Sequence, residues 1–170
     1  MTAEKGHSSA GFPRLALGHA HRRARVFWFW WMGMIFAIPG AAQAATLAAT
    51  DQSPEDGLVL TGLGLVMSAV GWLAAIAPRF TRTVPSPADD VARTARYVRL
   101  APGVFIGVVA AMLAIVVIFM AVTPRGTSPD VLPIMAFLAA FPVPVGAGML
   151  YSRHLHLNRD RLYSAWLERR

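Results

Sequence analysis

The chain alternates between long uncharged runs and short segments that hold its charge. No Asp, Glu, Lys, Arg or His falls within Val26–Ala49, Gly57–Ala77, Pro102–Thr123 or Val131–Tyr151, runs of 24, 21, 22 and 21 residues. At ~1.5 Å rise per residue each makes a helix just over 30 Å long, the thickness of a bilayer's hydrocarbon core. The pattern predicts an all-α integral membrane protein with four transmembrane helices. Thr50–Asp56 and Pro124–Asp130 are seven residues each, so the helices are expected to pair as two antiparallel hairpins.

The polar segments predict how those helices start. Ser53-Pro54-Glu55-Asp56 and Ser128-Pro129-Asp130 each offer a serine cap, a proline for the first turn and acid against the helix dipole. In Pro78–Ala101, Ser86-Pro87-Ala88-Asp89 has capping-box logic. The stripe Val91, Ala92, Ala95, Val98, Leu100 beside Arg93, Arg96 and Arg99 then predicts a short amphipathic interfacial helix between helices 2 and 3. Residues 1–25 lack periodicity and are expected to form a disordered tail. Residues 26–151 form the four-helix domain. Residues 152–170 are a basic amphipathic segment expected to continue the fourth helix.

Charge turns the pattern into an orientation. The net charge is +7, and 15 of the 16 Lys and Arg residues lie before the first run, between the second and third, or after the fourth. This is the positive-inside arrangement, and it places those segments and both chain ends in the cytoplasm. The basic residues are therefore read as contacts for anionic headgroups at the cytoplasmic face, with no nucleic acid implied. Fifteen Arg against one Lys suggests a GC-rich bacterial genome, hence a bacterial inner membrane. Arg22–Ala44 also has the layout of a signal peptide ending at Gln43-Ala44. The aromatic cluster Phe27–Trp31 and the apolar run continuing to Ala49 favour a retained helix.

Small residues form seams along the spans. Helix 2 sets Gly57, Thr61, Gly64, Ser68, Gly71 and Ala75 at spacings of four and three; helix 3 carries the Gly103–Gly107 GxxxG pair. Helix 1 offers Gly33, Ala37, Ala41, Ala45 and Ala49 at every fourth position. Lipid tails give little hydrophobic drive between helices, so such seams favour packing or an oligomer interface through close backbone approach. Candidate interface residues are Gly64, Ser68, Gly71, Gly103 and Gly107.

Pro142, Pro144 and Gly146 must break the fourth helix, because proline donates no N–H. With the polar Gln43 near Pro39-Gly40, they are a candidate hinge or carbonyl-lined pocket. His19-x-His21 and His154-x-His156 are a weaker, metal-type constellation; their surrounding arginines repel a cation. The chain has no cysteine, no ionisable group in any span and no catalytic motif, and nothing in it calls for a cofactor. The first functional expectation is a non-catalytic membrane subunit, joined to itself or to another membrane protein. The second is a small oligomeric transporter or channel using the proline break, and a membrane-embedded enzyme is third.

Overall fold

The computed structural model describes residues 6–76, 85–122 and 128–169, with side chains over 11–75, 85–122 and 131–169. These residues are helical apart from short connections. The helices are α1 (Gly6–Ala49), α2 (Glu55–Ile76), α3 (Val91–Val122), α4 (Ser128–Ala140), α5 (Pro142–Leu157) and α6 (Arg159–Glu168). Four stretches are long and apolar enough to cross a membrane: Gly11–Ala49, Glu55–Ala75, Val91–Val122 and Val131–Leu157. Exposed Leu, Val, Ile, Met and Phe side chains cover them. A water-soluble protein rarely sustains an apolar surface that contiguous. The chain is a multi-pass membrane protein.

The expected N-terminal tail is instead helix. α1 runs unbroken from Gly6, and at 44 residues it is ~65 Å long, about twice what the hydrocarbon core needs. Arg14, Arg22, Arg23 and Arg25 mark the half outside the core; the uncharged half begins at Val26. Its outer half buries Ala16, Leu17, His19, Ala20 and Ala24. That stripe has helical spacing but is built largely of alanine, so it leaves little trace in a hydropathy pattern while having the best helix propensity.

α1 is also the hub of the fold, touching α2, α4, α5 and α6. Cleavage after Ala44 would remove the surface on which those helices pack. Its contact with α2 is a close backbone approach in antiparallel order. A Cβ added at Gly71 would meet Phe29 and Trp30, at Gly64 it would meet Gly33 and Ala37, and at Gly57 it would meet Ala44. The Ser68 hydroxyl donates to the Trp30 carbonyl. The α2 seam is therefore spent within the chain.

The seam on α1 differs from the one expected. Gly33, Ala37, Gly40 and Ala44 are buried, whereas Ala41 and Ala45 are exposed. Spacings of four, three and four keep these residues on one face, matching the seven-residue period of α2; a strict every-fourth row drifts off that face. α1 ends at a left-handed residue, Asp51 (φ 55°), with Gln52 N–H donating back to the Leu47 carbonyl at 2.9 Å. This is the 6→1 bond of a Schellman cap.

Two helix starts fall later than expected. α2 begins at Glu55, with the Pro54 carbonyl accepting from Leu58 N–H at 3.0 Å, so proline rather than Ser53 holds the cap position. α3 begins at Val91, and Asp90 replaces Ser86 as the capping residue, its carbonyl accepting from Thr94 N–H at 2.9 Å. The cause is tertiary: Ala88 N–H donates to the Arg14 carbonyl at 3.0 Å, which ties the non-helical segment 85–90 to α1. Once started, α3 passes through Pro102 without a break. The stretch expected as a separate interfacial helix is the first third of one 32-residue helix. Residues 78–84 of the Pro78–Ala101 connection and 124–127 of the Pro124–Asp130 connection lie outside the described residues.

Beyond Pro102, α3 is barely packed. Its buried residues, Thr94 and Ala101, both precede the proline, and none is buried from there to Val122. The C-terminal segment leaves the fourth span at Asn158, and α6 lies against the outer half of α1. Tyr163 makes tilted ring contacts with Phe12 and His19, centroids at 5.2 and 5.8 Å.

Candidate functional site

The fourth span breaks where the prolines require it. α4 stops at Ala140 and α5 starts at Pro142; Phe141 between them keeps helical dihedrals (φ −57°, ψ −41°), and its N–H donates to the Phe137 carbonyl at 3.1 Å. Pro142 and Pro144 leave the carbonyls of Leu138 and Ala140 without their i+4 donors. The break faces protein: Pro142, Pro144, Gly146 and Gly148 are all buried. Trp31 Nε1–H donates to the Pro144 carbonyl at 2.7 Å, and one turn away Trp28 Nε1–H donates to Ser152 Oγ at 2.9 Å. Gly148 leaves room for the Trp28 ring, and Gly146 for the Phe105 ring of α3. Each indole thus buries a large apolar ring and satisfies its own N–H, as buried tryptophan requires.

Gln43 does not join this group. Trp28 pairs with Ser152 and Trp31 with Pro144, so α1 and α5 run antiparallel. Gln43 is twelve residues beyond Trp31, ~18 Å further along the axis. It is half-buried, and its backbone carbonyl accepts from Thr46 Oγ1 at 2.8 Å. The other expected interface residues divide cleanly. Gly64, Ser68 and Gly71 are covered by α1, while Gly103 and Gly107 face open space, with nothing within 4 Å of an added Cβ.

The three basic segments meet at one end of the bundle. Arg14 Nη1 lies 3.2 Å from Asp89 Oδ1 in an exposed pair, and Arg153 Nε donates to the Val98 carbonyl at 3.1 Å. Among them sits a histidine cluster from three elements. The rings of His21 and His156 lie 5.1 Å apart, His21 Nε2 shares a hydrogen bond with Thr94 Oγ1 at 3.2 Å, and His21 Nδ1 is 4.0 Å from Asp90 Oδ1. His156 Nδ1–H donates to the Ser152 carbonyl at 2.6 Å. Burial pushes the His21 pKa below its ordinary value, with Asp90 opposing and His156 and Arg25 adding to the drop.

His19 and His154 lie elsewhere. His154 Nδ1 takes a 3.2 Å contact from Asn158 Nδ2 at the surface. His19 is 3% exposed between Tyr163 and Trp166, and its Nδ1 has no hydrogen-bond partner among the described residues. Burial, then Arg22 and Arg23, lower its pKa from 6.5 to about 4. The four histidines do not converge, and among the described residues no three His, Cys, Asp or Glu side chains are placed to hold a metal ion.

Trp28, Trp31, Ser152, Thr94 and Asp90 were not singled out by sequence reasoning. The tryptophans carried a signal, but only as members of an interfacial belt; their partners are more than 100 residues away. No protein-family model, curated protein or solved structure matches the chain.

Proposed function

We propose that the protein is a non-catalytic subunit of the bacterial cytoplasmic membrane, which assembles with itself or with another membrane protein through α3. The observation that carries this reading is the unburied stretch of α3 after Pro102, with Gly103 and Gly107 open on it. A spanning helix that packs so little on its own chain has its faces left for lipid or for a neighbouring helix, and GxxxG permits close approach. Both chain ends and the 85–90 segment lie at the cytoplasmic side, as the convergence of the basic segments supports. Residues 91–101 rest at that interface, and α3 with α4–α5 forms the second hairpin.

The alternative is a small oligomeric transporter or channel working at the proline break. Burial of Pro142, Pro144, Gly146 and Gly148 against the rest of the chain speaks for a packing kink instead, as does the lack of ionisable groups in the spans. The test is native mass spectrometry of the tagged protein in mild detergent. The subunit reading expects a fixed stoichiometry, with itself or a partner, that Gly103→Leu with Gly107→Leu abolishes. A monomer without partner would sink it, as would an assembly indifferent to that pair.

A further inference from the structure

One face of α1 crosses from the basic end into the membrane, and a cavity of about 470 Å³ lies along it. His19, Arg22, Arg23, Val26, Phe27 and Trp30 supply that face, spaced by three and one as a helix requires, and Tyr151 and Trp166 close it. From Arg22 to Trp30 is ~12 Å along the axis, about the depth from headgroup phosphate to upper acyl chain. The lining changes over that distance from guanidinium to aromatic and aliphatic. Among the described residues no carboxylate lines it. The Arg22 guanidinium sits 5.8 Å from the Trp166 ring centroid, which orients it. A second cavity of about 420 Å³ also holds arginines, but there Arg159 lies 3.8 Å from Asp160 and the aromatic wall is missing.

We propose that this cavity binds one anionic, phosphate-bearing lipid, its headgroup against Arg22 and Arg23 and an acyl chain along Val26, Phe27 and Trp30. The inference rests on the proposed placement of the basic end at the membrane surface, and adds a defined site to it. Guanidinium pairs with phosphate through charge-assisted, often bidentate hydrogen bonds. His19 belongs to the same wall, and its buried Nδ1 has no hydrogen-bond partner among the described residues. The volume falls within the ~300–1,000 Å³ of small-molecule sites and exceeds what a bare phosphate fills.

The experiment is native mass spectrometry of delipidated full-length protein titrated with phosphatidylglycerol, phosphatidylcholine or inorganic phosphate. One phosphatidylglycerol per chain should bind ahead of phosphatidylcholine. Arg22→Gln with Arg23→Gln should weaken it by roughly 30-fold, while Arg93→Gln with Arg96→Gln leaves it unchanged. Arg23→Gln alone, which keeps Arg22 on Trp166, should give part of the loss and covers the chance that the double variant fails to fold. Equal loss in both double variants would mean diffuse charge attraction and overturn the site. Displacement by inorganic phosphate at comparable concentration would overturn its lipid character. Membrane placement is tested apart by alkaline extraction: a protein released by carbonate loses that premise, whereas a retained protein that binds no lipid loses only this inference.

Discussion

Trp31 donates its indole N–H to the carbonyl of Pro144, at 2.7 Å, across 113 residues of chain. The bond joins the hub helix to the first turn of α5, just past the carbonyls of Leu138 and Ala140 that the prolines leave without helical donors. Hydrogen bonds at membrane depth average about 0.6 kcal/mol and reach about 1.7, so Trp31→Phe should destabilise the fold by that order, with some further loss of ring packing. Trp28→Phe should do likewise through Ser152, and the two losses should not add fully, because both indoles fix the same pair of helices. Unfolding in detergent, followed by circular dichroism, measures both. An unchanged midpoint for Trp31→Phe would mean that the break is held by shape alone.

The glycines separate folding from assembly. Gly33, Gly64 and Gly71 lie against backbone, where a side chain forces the helices apart. Gly64→Leu should therefore cost well over the ~1–3 kcal/mol of ordinary overpacking and reduce the yield of folded protein. A Cβ added at Gly103 has no neighbour within 4 Å among the described residues, so in Gly103→Leu monomer stability should hold. Thermal stability compared with oligomeric state in the two variants checks the division. Equal destabilisation would show that α3 is packed within the chain after all.

These two seams mark how far the sequence could be read. Residue type and spacing were enough to find the spans, the charged collars and the α2 seam, because each depends only on one helix and its solvent. Which seam is covered depends on partners, and nothing local distinguishes Gly64 from Gly103. The outer half of α1 escaped for a related reason: Ala16, Ala20 and Ala24 are buried, and the elements that pack on this half of the helix, α6 and the 85–90 segment, are far away in sequence. The same contact spent the Ala88 N–H on Arg14 and moved the start of α3 from Ser86 to Asp90.

The C-terminus of α1 offers a stabilising change. Asp51 holds φ 55°, where a side chain costs roughly 1 kcal/mol that glycine avoids. Asp51 is exposed, so Asp51→Gly removes little else. A rise in the unfolding midpoint is expected; a fall would point to a role for the carboxylate outside the fold.

Acid should loosen the basic end before the membrane core. The folded pKa of His19 is about 4, against 6.5 when unfolded, so between those values the unfolded chain holds the extra proton. Stability is then lost as pH falls from about 6.5, and the loss is complete near 4. The full shift sets an upper bound of about 3 kcal/mol, reduced in practice because solvent screens Arg22 and Arg23. His21 is lowered as well and adds with the same sign. His19→Phe keeps an aromatic ring between Tyr163 and Trp166 while removing the titration. Hydrogen exchange of α6 between pH 7 and pH 4.5 should show protection falling in the natural sequence and falling much less in His19→Phe. A parallel decline in both would assign the acid response to other groups.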